Sequence, residues 1–218
     1  MATKHQRSYG DPCGIARALD VVGERWALLV VRELLLGPKR FTDLRTGLPN
    51  VGPDVLAQRL RELEAAGVIA RRRLAPPAGS RVYELTDRGR ALEPVVLELG
   101  RWGSTAPFPP GLNEIGADST ILALKTLFDP ASAGDLEARV ELRLGEQVFG
   151  ARVADREFAV ARGPSEAPDA VLAATPPTLA ALLWQGRSLT AARRSGEAEI
   201  HGDGRLLERF LRLFPVSA

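Results

Sequence analysis

Residues 51–67, VGPDVLAQRLRELEAAG, carry leucine at positions 56, 60 and 63. That i, i+4, i+7 spacing sets Leu56, Leu60 and Leu63 in one stripe along a helix. At the helical angle per residue, Asp54, Gln58 and Arg61 fall on the opposite side. Pro53 suits the first helical turn, and Gly67 the position just past the last. VIARRRL follows, then PPAGS, then RVYELT, which reads as two short strands joined by a tight connection. An amphipathic helix alone is most simply a core helix. Followed directly by an arginine-rich hairpin, it has the form of a recognition helix and its wing.

The flanking segments fit that form. CGIARALDVVG, ERWALLVVRELLLG and RFTDLRTGL predict three helices upstream. Cys13 opens the first, whose apolar positions include Ile15, Ala18, Leu19 and Val22, and Gly23 ends it. Residues 24–36 make the second, with Trp26 large enough to anchor a core, and Gly37-Pro38 stops it. Residues 41–48 make a short third helix that buries Phe41, Leu44 and Leu48. Compact helices with short turns and then a hairpin follow the winged helix-turn-helix order. Downstream, Thr86 caps a helix over 87–102 with an apolar face at Leu92, Val95, Val96 and Leu99. So small a domain offers that helix no obligatory partner, so we expect it to build a homodimer.

A chain of 218 residues has room for two domains. Residues 1–105 hold 17 Lys and Arg against 12 Asp and Glu, and the remainder 12 against 15. A basic first half beside an acidic second suits a nucleic-acid module joined to something else. The N-terminus has no apolar h-region, and the run WALLVV is bracketed by arginines and far short of a span, so we expect a cytoplasmic protein with no membrane partner. One cysteine excludes an internal disulfide, and with only two histidines no metal site or cofactor is expected. His201 lies beside Asp203 with no serine or cysteine near it in sequence, so no catalytic constellation forms and no enzyme is expected.

Residues 103–116 lose all period and gain prolines and glycines, as a linker does. Beyond them a helical segment at 120–128 precedes alternating stretches: LEARVELRL, QVFGARVA, EFAVARG and DAVLAATP. A helix through Trp184, a short helix, the strand EAEIHG and a closing helix after Asp203 complete the chain. The expected fold class is α+β: a DNA-binding domain with its dimerisation helix at 1–103, a linker at 104–117, and a mostly antiparallel sheet with helices on one face at 118–218.

Residues 13–19, GERW at 23–26, RELLLGPKRF at 32–41, LAQRLRELEAAGVIARR at 56–72, YELTDRGRAL at 83–92 and Trp102-Gly103 together resemble the HxlR family of bacterial transcriptional regulators. The resemblance spans roughly the first half of the chain. Where that family usually carries Ile-Ser-x-Lys, this sequence has Val51-Gly52-Pro53-Asp54, so the phosphate contacts usual there are not implied. DAVLAATPPTLAALLWQG and SGEAEIHGDGRLLERFLRLF resemble sterol-carrier-like domains, which implies a small apolar ligand held between sheet and helices. Phe149, Phe158, Leu182, Leu183 and Trp184 either line that cavity or fill a solid core.

Double-stranded DNA is thus the expected partner. Gln58 and Arg61 are the base-reading candidates, since Gln pairs bidentately with adenine and Arg with guanine. Asp54 either accepts from cytosine or simply favours the helix N-terminus. Arg59, Lys39, Arg40 and Arg45 are placed for phosphates. On the wing, Arg71 and Arg73 share one face and Arg72 takes the other, with Arg81 the candidate for a narrow minor groove. Cys13 resembles the cysteine that some HxlR members use to sense oxidants or electrophiles, although the apolar residues near it predict burial.

Overall fold

The computed structural model describes residues 8–75, 79–106 and 115–215. In chain order they form α1 Gly14–Val22, α2 Ala27–Leu34, α3 Phe41–Gly47, α4 Pro53–Ala65, β1 Ile69–Arg73, β2 Arg81–Leu85, α5 Asp87–Arg90 and α6 Glu93–Gly103. Then come α7 Ala117–Leu127, α8 Pro130–Ala133, β3 Ala138–Leu144, β4 Gln147–Ala154, β5 Glu157–Arg162, β6 Ala170–Ala174, α9 Pro176–Trp184, α10 Leu189–Arg194, β7 Ala198–Gly202 and α11 Gly204–Leu211. The chain divides into two compact units, Met1–Val96 and Leu97–Ala218. The division falls inside α6. Most of the expected linker, 107–114, and the wing-tip residues 76–78 lie outside the described residues.

In the first unit α4 sits in the core through the predicted stripe: Leu56, Leu60 and Leu63 are fully buried among Val30, Val31, Leu34 and Leu44. Burial of each such leucine stabilises the fold by about 1.5–3 kcal/mol. Pro53 occupies the first turn and Asp54 lies beside it, favourable to the helix dipole. At the far end Gly67, at φ +68°, turns the chain left-handed. Gly67 N–H donates to Glu64 O and Val68 N–H to Leu63 O, so the last carbonyls are satisfied and β1 starts at once. The Thr86 hydroxyl donates to Gly67 O at 2.7 Å and accepts from Gly89 N–H at 3.1 Å, pinning the base of the hairpin. Gly89 has no room for a side chain, because a Cβ would collide with Val68 O.

Three expectations change. The second helix starts at Ala27 and not at residue 24, because Trp26 is left-handed at φ +78° and cannot continue a right-handed turn. The predicted helix over 87–102 is two helices, broken at Ala91-Leu92. Pro94 has no N–H for the Arg90 carbonyl, and its ring crowds that turn. In α1 only Val22 is buried; Ile15 and Leu19 face outward.

The second unit is a five-stranded sheet in the order β5-β4-β3-β6-β7. All its pairings are antiparallel except β3 with β6. Asp155 and Arg156, both at positive φ, make the two-residue turn between β4 and β5. One face carries Val140, Leu142, Phe149 and Leu172, all fully buried. On that side Phe158 packs among Phe128, Phe210 and Phe214 with centroids 5.1–6.2 Å apart. The other face turns Arg139, Arg143, Arg152, Glu199 and His201 outward. Asp203 caps α11 by accepting from Arg205 and Leu206 N–H.

No described helix is long and apolar enough to cross a membrane. Among the described residues no cluster of His, Cys, Asp and Glu is arranged to hold a metal ion.

Candidate nucleic-acid interface

The side of α4 opposite the leucines is exposed at Asp54, Val55, Arg61 and Ala65, with Gln58 half-buried between them. Arg61 Nη2 donates to Gln58 Oε1, and Gln58 Nε2 donates to Glu62 Oε1, both at 2.6 Å. Both ends of the Gln58 amide are thus oriented before any ligand arrives. Arg59 behaves differently. It is 9 % exposed, ion-paired with Glu62 and, at 3.5 Å, with Glu24 ahead of α2. Four residues before Leu63, it stands only about 40° from the buried stripe. The phosphate role expected of Arg59 gives way to a structural one, tying α4 to the α1–α2 turn.

Lys39 also turns inward. It is 9 % exposed, its Nζ lies 2.5 Å from Glu33 Oε2, and Arg32 Nη2 holds the other Glu33 oxygen at 2.7 Å. Its backbone pairs with Tyr83 in both directions, at 3.0 and 2.8 Å, which fastens the hairpin to the α2–α3 turn. Lys39 therefore places the wing and is not displayed for DNA. Arg40 and Arg45, at the two ends of α3, are exposed, and among the described residues neither has a carboxylate partner.

The hairpin register pairs Arg71 with Tyr83, Arg72 with Val82 and Arg73 with Arg81. Arg71, Arg73 and Arg81 share one face and Arg72 points to the other, as alternation requires. Arg71 is held 2.9 Å from Glu64, its guanidinium 5.4 Å from the Tyr83 ring centroid. Arg72 pairs with Glu84 at 3.0 Å. Arg73 Nε donates to Gly79 O at 3.2 Å, and Arg81 shows no carboxylate partner among the described residues. Two arginines directly opposite each other at the outer end of a hairpin repel. Folding gains nothing from that pair; an anion between them would.

Val95, Leu99 and Trp102 repeat at i, i+4, i+7 along α6 and are all exposed, Trp102 by 75 %. The expected face of Leu92, Val95, Val96 and Leu99 therefore divides: Leu92 and Val96 pack against the core of the first unit, while Val95 and Leu99 stay exposed in line with Trp102. Cys13, expected to be buried, is exposed: it opens α1 and its N–H donates to Asp11 Oδ1 at 2.8 Å. The residues near it that predicted burial, Ile15 and Leu19, are themselves exposed.

In the second unit Phe149 is completely buried and fills the core, while Phe158 is half-buried in the aromatic cluster. Trp184 Nε1 donates to Phe214 O at 3.1 Å and does not line the neighbouring cleft. Leu182 and Leu183 do. With Leu189, Leu211 and Phe214 they bound an opening of about 370 Å³ among α9, α10 and α11, with Arg187, Glu208 and Arg212 also on its walls.

Residues 21–107 match the model of the family described as HxlR-like helix-turn-helix. The HTH-type transcriptional regulator YvaP of Bacillus subtilis (strain 168) is 40 % identical over 89 residues, which are 40 % of this chain and 82 % of YvaP. The HTH-type transcriptional regulator YodB of the same strain is 35 % identical over 85 residues, 39 % of this chain and 76 % of YodB. A crystal structure of quinone-bound YodB, 32 % identical, covers 42 % of this chain and 97 % of its own with a TM-score of 0.37. This chain belongs to the HxlR-like helix-turn-helix family of transcriptional regulators.

Proposed function

We propose that this protein is a homodimeric repressor that recognises a specific DNA sequence. Asp54, Gln58 and Arg61 of α4 face the major groove, Arg40 and Arg45 meet phosphates, and Arg73 and Arg81 enter the flanking minor groove. The observation that carries this reading is the exposed α4 face, with Gln58 and Arg61 joined by a 2.6 Å hydrogen bond. Arg71 lies on the same wing face but is held by Glu64, so it contributes less. The exposed stripe Val95, Leu99 and Trp102 supplies the dimer contact that two half-sites require. A variant combining Gln58→Ala and Arg61→Ala keeps the wild-type melting temperature, since both side chains lie off the core, and loses preference for the selected duplex. Full retention of that preference would reject this reading face.

Residues 118–218, within the second unit, form a sterol-carrier-like domain that holds a small apolar ligand in the cleft beside Leu182 and Leu183. Such a ligand alters repression only if it binds the DNA-competent and incompetent forms with different affinity. Native mass spectrometry of the purified chain reads this directly. An added mass that Leu183→Arg removes supports the cleft. A bare chain that also fails to take up an apolar fluorophore counts against it. A copurifying ligand with no DNA preference would favour instead a hydrophobe carrier whose first unit serves to dimerise it. Cys13 is exposed at the start of α1, and we assign it the role of thiol switch. Treatment with an oxidant then releases DNA from wild type and leaves Cys13→Ser bound; equal release from both contradicts the assignment.

A further inference from the structure

Val55 is the third residue of α4 and 45 % exposed, on a helix side otherwise occupied by Asp54, Gln58, Arg61 and Glu62. It stands about 100° from Leu56 and about 60° from Gln58 around the helix axis, outside the leucine stripe and beside the reading face. Folding does not ask for valine there. A β-branched side chain is a poorer helix former than Ala, Gln or Lys, and its exposed methyls gain nothing from water. Among the described residues no core cluster of this unit includes it.

A recognition helix meets base edges with its N-terminal residues. The prominent apolar group on the major-groove edge is the 5-methyl of thymine, and an A·T pair presents that methyl beside the adenine atoms a glutamine reads. We propose that Val55 is a specificity-determining residue that packs on a thymine 5-methyl next to the base read by Gln58. The assignment rests on the reading of α4 given above, and the experiment separates the two.

Duplexes are selected from a random pool with the full chain, and each thymine of the tightest duplex is replaced singly by deoxyuridine, which lacks only the methyl. Wild type loses about fourfold in affinity at one position per half-site, the size expected for one buried methyl. Val55→Ala binds the thymine duplex about fourfold more weakly for each half-site and no longer distinguishes thymine from uracil there. Val55→Thr, which keeps the shape but replaces a methyl by a hydroxyl, shows a reduced distinction, and both variants keep the wild-type melting temperature. Specific binding that no uracil substitution weakens overturns the role of Val55 and leaves the α4 reading intact. A Val55→Ala variant as sensitive to uracil as wild type does the same. A pool in which no sequence is enriched overturns both.

Discussion

Replacing Arg73 and Arg81 together with alanine separates DNA binding from folding. The two residues are cross-strand partners at the outer end of the hairpin. Like charges in that position are destabilising by roughly 0.2–1 kcal/mol. The change also removes the exposed hydrogen bond from Arg73 Nε to Gly79 O, worth about 0.5 kcal/mol at most in so open a place. Stability of the double variant is therefore unchanged or slightly raised. DNA binding moves the other way. Each cation that neutralises a phosphate contributes about −0.9 to the slope of log K against log salt, so on a duplex with a single half-site, which one wing meets, losing both flattens the slope by about 1.8. Between 50 and 200 mM salt, about 0.6 log unit, the variant's affinity then falls about 12-fold less than that of wild type. Fluorescence anisotropy at several salt concentrations gives the slope, and a thermal melt by circular dichroism gives stability. An unchanged slope would refute the reasoning. So would a flattened slope with a marked fall in melting temperature, because the wing would then have been damaged and not merely discharged.

Trp102→Asp with Leu99→Asp converts a dimer to a monomer by sedimentation and weakens binding to a two-half-site duplex far more than to a single half-site; a dimer that persists removes α6 from the interface. Lys39→Ala leaves the buried Glu33 carboxylate with Arg32 alone, so denaturant unfolding shows a loss of about 3 kcal/mol; a loss below about 1 kcal/mol contradicts the structural role assigned to Lys39. Glu141 is 4 % exposed, and the hydrogen bond from Arg143, helped by Ser165 N–H, holds its carboxyl below the usual carboxylate range. Its ionised form is favoured in the folded state, so it adds stability above that range and loses it as pH falls through the lowered value. Glu141→Gln accordingly lowers the denaturant midpoint at pH 7, and the gap from wild type closes in acid; a gap that stays constant from pH 7 to the acid limit contradicts this.

What could be read from the sequence was what local periodicity and end chemistry encode. The α4 stripe, Pro53 at its start and Gly67 at its end are all local, and each stands where spacing placed it. So does the alternation of the wing arginines, which follows from strand geometry alone. Arg59 is held by Glu62, three residues on and visible locally, and by Glu24, 35 residues away, which no window of sequence around Arg59 contains. Its angle to Leu63 was a usable signal. Lys39 is drawn inward by Glu33, six residues before it, and by the bridge to Tyr83, of which only the second is out of reach of a local reading. The break before Pro94 was legible in the proline and was outvoted by the apolar period around it. The parallel pairing of β3 with β6 is set by which strand edges meet, and alternation within a strand does not specify that. Whether Phe149 fills a core or lines a cavity depends on neighbours from other elements, so composition alone left it open.

Sequence-specific DNA binding through α4 underlies every DNA-binding role assigned above. The most direct measurement titrates the full chain against its selected duplex and against a shuffled duplex of the same composition at several salt concentrations. Binding to the selected duplex is expected to be at least about 10³-fold tighter, with a steep salt dependence on both. Equal, weak binding to the two would show only general attraction to a basic surface and would contradict the central claim.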